Sequence, residues 1–478
     1  MTIREQALTG LKWTAGGKLA AQIITWGITL IVIRLLTPED YGLLAMATVF
    51  VAFMLLLAEA GLAPALVQKQ ELDEASLRQV FAIIILVNLI LLAILNLLAP
   101  AIAGFFGDER LIPILHVLSL QFLITTAATI PEVLLYRELK FKNLSLIQLT
   151  ASIAGSVLTL AMAFAGYGVW ALVFGNLFGA IWKAVVLNAL APFHLLPKFS
   201  LRGMRNFLSF GGNITLSRLL WFFLTQIDVI IVGKLLGKEM LGFYSVAMHL
   251  ASLPVQRVSV IVSEVAFPVF SKIQNDRELF RSFVLKAIRV LSLIAFPVLW
   301  GISSIANEIV LLFLGQKWQS AVLPLQLLTL MMPFRMIANF LPSAINALSR
   351  PDIGVKNAFL ASIVMPIAFL IGSQWGIVGV ALAWVTVYPV VLSINIHRML
   401  CAMELQLRDL FHAITPAVSS ATGMYLAVWM MGLLLGEDIN QWAKLLIMIA
   451  TGVMAYGGLT LFFNRQGYQE VMNLVWQK

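Results

Sequence analysis

The chain has 478 residues, of which 60% are hydrophobic and only 12% charged, too few polar side chains to clothe a water-soluble fold. One crossing of a ~30 Å hydrocarbon core takes roughly 20 apolar residues, so this content is enough for about fourteen helical spans. A single cysteine, Cys401, excludes an intrachain disulfide, and the net charge of +9 calls for no nucleic-acid partner once its distribution is seen.

In chain order, apolar runs place spans near 13–36, 42–67, 80–103, 112–135, 144–165 and 168–190. A basic break from His194 to Arg205 follows. Eight more spans fall near 207–236, 241–270, 283–303, 320–346, 355–373, 377–399, 409–435 and 441–463. The N-terminus carries Arg4, Lys12 and Lys18 among small and polar residues, and its apolar segment runs on to Leu36 without a small-residue cleavage site and reads as a retained span. The termini and even-numbered loops hold 19 Lys and Arg residues, the odd-numbered loops 6. The positive-inside rule therefore puts both termini in the cytoplasm.

The first and seventh spans resemble each other at an offset of 200: Leu8 with Leu208, Lys18 with Arg218, Arg34-Leu-Leu36 with Lys234-Leu-Leu236, Glu39 with Glu239, Gly42 with Gly242. With small gaps the match runs on to Gly168 and Gly376. Six spans per copy is an even number, so the copies enter from the same side. They form parallel repeats with a substrate site expected between them at mid-depth. The fold class is thus an all-α integral membrane protein with two parallel six-helix lobes, residues 1–193 and 207–400. A cytoplasmic linker, 194–206, joins them, and two additional C-terminal helices fill 401–478.

Several spans carry polar residues at helical spacing, and so on one face. Span one has Thr14, Lys18, Gln22, Thr25 and Thr29; span seven has Arg218, Trp221, Thr225 and Asp228. Span eight has Ser245, His249, Ser252, Gln256, Ser259 and Ser263, with Arg257 and Glu264 on the adjoining face. Span ten has Arg335, Asn339, Pro342 and Asn346; span two adds Glu59, and span four Thr125, Thr129 and Glu132. The hydroxyls read first as glue between helices. A charge at bilayer depth costs at least ~2.5–3.5 kcal/mol, so it faces protein or a water-filled cavity. Lys18, Arg218, Arg257 and Arg335 are therefore expected to line a cationic, anion-binding cavity, with interhelical ion pairs as the alternative. Gln22, Thr25, Thr225, His249, Ser252, Gln256 and Asn339 would be its polar lining. Arg supplies a planar fork of donors and Lys a point charge, which suits pyrophosphate. Glu59, Glu132, Asp228 and Glu264 either neutralise the cations or serve ion coupling, with Asp228, Glu59 and Glu264 the candidates for the second role. Lys183, Lys286 and Arg289 lie near cytoplasmic span ends and are expected to snorkel.

Catalytic signals are missing. The five histidines have no metal-ligand spacing, and Gly233-Lys-Leu-Leu-Gly237 lacks the hydroxyl and spacing of a phosphate loop. No enzyme, catalytic residue, metal or cofactor is expected.

The segments Arg34-Leu-Leu-Thr-Pro-Glu-Asp-Tyr-Gly42, Gly61-Leu-Ala-Pro-Ala-Leu-Val-Gln68 and Tyr136-Arg-Glu-Leu-Lys-Phe141 resemble the polysaccharide transporter family. So do Gly166-Tyr-Gly-Val-Trp-Ala171, Gln226-Ile-Asp-Val-Ile-Ile-Val-Gly-Lys234 and Phe267-Pro-Val-Phe-Ser-Lys-Ile-Gln274. The likeness is to its Wzx-type flippases, the colanic and teichuronic acid exporter branch, within the multidrug/oligosaccharidyl-lipid/polysaccharide exporter superfamily. It covers spans one to twelve well and the last two weakly. The resemblance implies a V-shaped bundle in the cytoplasmic (inner) membrane. It implies an undecaprenyl-pyrophosphate-linked oligosaccharide as substrate, moved by alternating access, with membrane lipids, a polysaccharide polymerase and glycosyltransferases as partners. Related lipid II flippases carry cavity cations on helices one, seven and eight, where Lys18, Arg218 and Arg257 occupy comparable places. A multidrug antiporter shares the fold, but clustered cations would repel its cationic substrates. A membrane polymerase or ligase would need a substantial external loop, and a scaffold for envelope assembly would leave the cations unexplained.

Overall fold

The computed structural model describes residues 25–59, 66, 74–193, 195–199, 205–436, 439–464 and 469. Along the helix that starts at Arg205, side chains are described for 222, 225–256, 258 and 269–273. Among the described residues every regular element is helical, as hydrocarbon demands, because a helix satisfies its own backbone donors and acceptors. The chain divides into two compact units, Met1–Gly242 and Phe243–Lys478.

The first unit begins with α1 (Thr25–Leu35) and α2 (Pro38–Glu59). Their junction is written in the sequence. Thr37 is the N-cap of α2: its hydroxyl accepts the Asp40 N–H at 3.3 Å, while the Asp40 carboxylate accepts the Thr37 N–H at 2.9 Å. This is a reciprocal capping box, with Pro38 in the first helical position where its missing N–H is harmless. Then come α3 (Glu74–Phe106), the nearly continuous pair α4 (Leu111–Ser119) and α5 (Gln121–Arg137), α6 (Phe141–Phe164) and α7 (Val169–Leu190). The backbones of α6 and α7 meet along a seam of small residues: a Cβ on Gly175 would lie 1.7 Å from the Thr159 hydroxyl, and one on Gly155 2.8 Å from the Gly175 carbonyl. Such close approach substitutes for the hydrophobic drive that lipid cannot supply. The linker is tied back to α3, since Arg78 Nε donates to the Leu196 carbonyl at 2.8 Å and the Lys198 N–H to the Arg78 carbonyl at 3.0 Å.

The 69-residue α8 (Arg205–Ile273) crosses from the first unit to the second. It is two spans, broken at Gly237, whose φ of 82° and ψ of 178° suit glycine alone. Gly237 stands 200 residues after Thr37, the same offset as between Gly42 and Gly242, and likewise between two spans. The second unit continues with α9 (Arg277–Ser304), α10 (Val322–Ala347), α11 (Pro351–Gly372), α12 (Gly376–Thr386), α13 (Tyr388–Ala402), α14 (Leu407–Leu434) and α15 (Gln441–Phe463). Met424 and Val428 of α14 and Met448 of α15 form a core with Trp300 of α9, and Lys444 reaches Glu308 at 3.3 Å. The last two helices are therefore packed against the unit along their length.

Ten helical runs among the described residues are long and apolar enough to cross a membrane. One of them, Asp352–Ala402, is two of the expected spans joined by a turn before Gly376, and α8 holds two more. The all-α membrane architecture of about fourteen spans stands. Leu97, Val453, Leu434 and Phe462 are highly exposed, an outward surface that suits acyl chains and not water.

Candidate functional site

In the first unit, Lys18 and Gln22 lie outside the described residues, as do the side chains of Glu59 and Arg218. Thr25 is half-buried, and its carbonyl accepts the Thr29 hydroxyl at 2.8 Å. Thr225 is also half-buried and donates to the Phe222 carbonyl at 3.1 Å. Both patterns are the local back-bonding of helical hydroxyls. Asp228 is 2% exposed, and its Oδ1 accepts the Val229 N–H at 2.9 Å.

Lys183 corrects an expectation. It does not snorkel: Nζ lies 2.9 Å from both carboxylate oxygens of Glu132, pairing α7 with α5. An opposite charge within reach offsets part of the insertion cost of each group, which a lone lysine would have to meet by bending towards the interface. Glu132 takes the neutralising role.

Sequence reasoning missed a charge cluster where α1 and α2, α3 and α4, and the two halves of α8 join. Lys238 Nζ is 2.8 Å from Asp108 Oδ2 and 3.6 Å from Glu39 Oε2. Arg110 is 2.9 Å from the same Asp108 oxygen and 3.4 Å from Glu39. The Arg110 hydrogen bonds, reinforced by Lys238, hold the Asp108 carboxyl well below the usual carboxylate range. Lys234 caps the group by donating to the Phe105 carbonyl. Beneath these charges the backbones touch. A Cβ on Gly42 would lie 1.7 Å from the Lys238 carbonyl oxygen, and one on Gly242 1.8 Å from that of Pro38. The repeat offset of 200 contained a signal for this cluster, since it pairs Gly42 with Gly242 and places Glu39 and Lys238 in equivalent turns.

In the second unit, His249, Ser252 and Gln256 share one face of α8, as their spacing predicts. The Ser252 hydroxyl donates to the His249 carbonyl at 3.0 Å, and Gln256 Nε2 donates to the Ser252 hydroxyl at 3.1 Å. The side chains of Arg257 and Glu264 lie outside the described residues. On α10, Arg335 and Asn339 are both half-buried, one turn apart. The Arg335 guanidinium carbon sits 4.9 Å from the centroid of the Trp384 ring, on α12. Among the described residues it meets no carboxylate within 4.0 Å. Of the four expected cavity cations Arg335 alone has a described side chain, and no described carboxylate pairs with it. Among the described residues no group of three His, Cys, Asp or Glu side chains could hold a metal.

Residues 31–323 match the family described as polysaccharide biosynthesis protein. The chain belongs to that family. It is 28% identical over 401 residues to the lipopolysaccharide biosynthesis protein WzxC of Escherichia coli, covering 81% of this chain and 79% of that one. The teichuronic acid biosynthesis protein TuaB of Bacillus subtilis is 26% identical over 464 residues, 95% of each chain. The succinoglycan biosynthesis transport protein ExoT of Rhizobium meliloti is 26% identical over 63% of this chain and 61% of its own. Among solved structures, a lipid II flippase MurJ in an inward closed conformation gives a TM-score of 0.75 at 19% identity, covering 94% of this chain and 98% of that one. An inward-facing multidrug resistance transporter of the MATE family gives 0.61 at 15% identity, with 82% and 99% covered. These two establish the fold. The family is the one that the motifs resemble, and the fold is that of a multi-pass membrane transporter.

Proposed function

We propose that this chain carries an undecaprenyl-pyrophosphate-linked oligosaccharide repeat unit across the cytoplasmic membrane by alternating access, for the assembly of an envelope or secreted polysaccharide. The observation that carries this reading is Arg335. It lies 13 residues into the 26-residue α10, about 20 Å from either end at 1.5 Å per residue, and has no carboxylate partner among the described residues. A guanidinium at that depth needs an oxyanion, and a pyrophosphate-linked substrate brings one.

Lys18, Arg218 and Arg257 complete the cationic lining in this proposal, with the two six-helix repeats, 1–193 and 207–400, as the moving parts. Gln22, Thr25, Thr225, His249, Ser252, Gln256 and Asn339 supply polar contacts to the sugars. Asp228, Glu59 and Glu264 are the candidates for coupling to H⁺ or Na⁺. Both termini face the cytoplasm, and the polymerase and glycosyltransferases of the pathway act on either side of the transport step. The chain is a transporter and not an enzyme. The MATE fold would also serve an organic-cation antiporter, and an arginine at mid-depth with no carboxylate partner among the described residues opposes that substrate.

The test is a deletion strain. Lipid-linked repeat units trapped on the cytoplasmic leaflet, with polymer lost, are the expected result. Polymer in normal amount would sink the proposal.

A further inference from the structure

Among the described residues it is an aromatic ring, and not a counter-ion, that holds Arg335. Its guanidinium rests over the indole of Trp384, and that indole is itself immobilised. Trp384 Nε1 donates to the Tyr244 hydroxyl at 2.9 Å, while Phe369 packs at a centroid distance of 5.3 Å and Tyr388 at 5.0 Å. Trp384, Tyr244 and Phe369 are buried. Four helices therefore converge on one ring: α8 through Tyr244, α11 through Phe369, α12 through Trp384 itself and α13 through Tyr388.

A cation over an aromatic face is attracted by the ring quadrupole. That attraction uses the charge of the guanidinium and leaves its N–H donors unused. Arg335 has five such donors, and no described acceptor takes one within 3.5 Å. The same arginine in an ion pair would have its donors committed to a carboxylate, and a substrate would have to displace it. Over Trp384 the guanidinium is fixed with its donors free of every described acceptor, so little side-chain freedom is lost when an oxyanion binds.

We infer that Trp384, locked by Tyr244, is a positioning residue that presents the Arg335 guanidinium to an oxyanion of the transported lipid-linked oligosaccharide. Arg335 makes the contact; Trp384 and Tyr244 act only through it. The inference rests on the transport proposal. A phosphate oxygen of the pyrophosphate link and a carboxylate of an acidic sugar share the required chemistry.

The experiment measures binding of radiolabelled farnesyl pyrophosphate to the full chain in nanodiscs. Arg335→Gln is expected to weaken binding at least tenfold, the scale of a lost hydrogen bond to a charged group. Arg335→Lys should recover only part, because the planar fork is gone. Trp384→Leu should weaken binding about fivefold, and Tyr244→Phe and Trp384→Phe, which each keep an aromatic face and lose the hydrogen bond that locks it, should weaken it less. The deciding result is the double variant. If Trp384 acts through Arg335, Trp384→Leu costs nothing further once Arg335→Gln is present. Equal losses from Trp384→Leu in both backgrounds would overturn the inference, because they would mark a merely structural ring. So would unchanged binding by Arg335→Gln, or no saturable binding by wild type.

Competition separates the sources: displacement by inorganic pyrophosphate and not glucuronate assigns the site to the lipid link, and the converse to an acidic sugar, and either supports an oxyanion site. Displacement by neither overturns it. Flipping of lipid-linked substrate in proteoliposomes is scored separately. A chain that flips but binds the probe independently of Arg335 refutes this inference alone. A chain that binds through Arg335 but flips nothing refutes the function alone.

Discussion

In the proposal that the repeats 1–193 and 207–400 are the moving parts, the contact between α2 and the middle of α8 opens once per cycle, and Asp108 is the group whose removal should ease it. Its side chain is only 13% exposed and serves both cations of the cluster. Arg110 is 53% exposed, so its pair with Asp108 is worth about 0.2–1 kcal/mol after screening. Lys238 is 30% exposed and makes a shorter, charge-assisted contact, worth about 1.5 kcal/mol at the low end of such bonds. Asp108→Asn keeps the shape and one acceptor, so the loss should be about 1–2 kcal/mol, a 5- to 30-fold gain in the open population. The assay is labelling of Met46→Cys, in a Cys401→Ser background, by a membrane-impermeant maleimide. Met46 is 1% exposed and lies beside Gly233, where α2 and α8 touch, so it reacts only when they part. Labelling should accelerate by that factor in Asp108→Asn, while Asp108→Glu, which keeps the charge beside Arg110 and Lys238, should stay closer to the parent. A rate within twofold of the parent would show that the backbone contact at Gly42 and Gly242 holds the closure without the charges.

The same reporter tests pH. The Asp108 carboxyl is held below its ordinary value, so its contribution is fully present above about pH 4 and is lost only as the pH falls further; faster Met46→Cys labelling between pH 7 and pH 5 would contradict this. Gly237→Ala should destabilise the chain by about 1–3 kcal/mol, since that backbone region is closed to a Cβ, and an unchanged melting temperature in detergent would refute it. Lys183→Met should lower thermal stability more than the double variant with Glu132→Leu, because a charge left alone in the helix bundle is worse than none; the reverse order would show the pair to be idle. Asp228→Asn should abolish the dependence of proteoliposome transport on an imposed H⁺ or Na⁺ gradient, and a variant with the wild-type dependence passes the coupling role to Glu59 or Glu264.

Hydropathy located the spans because lipid imposes length and apolarity on every helix, and the offset of 200 paired Gly42 with Gly242, each of which meets the other's segment at its backbone. Periodicity placed Ser252 and Gln256 on one face, since it reports the geometry of the helix that carries them. It is blind to the neighbour. Glu132 is 51 residues from Lys183 and Asp108 is 130 from Lys238; which residues face each other depends on the register of one helix against another, a property of neither segment alone. Trp384 was unreadable for the same reason. An apolar stripe shows a tryptophan as core, and only the packing of α10 on α12 makes it the floor beneath Arg335.

The glycine contacts have a further consequence. Residue 42 meets 238, and residue 242 meets 38; subtracting the repeat offset makes these one contact seen twice, 42 against 38. That is the pattern of an isologous interface, in which two copies offer each other the same patch. Between two identical chains any change would strike both sides at once; within one chain that constraint is lifted. Each side can now vary alone, and here it has: one copy turns its corner with a capped Thr37-Pro38, the other with Gly237 in a conformation that only glycine adopts freely.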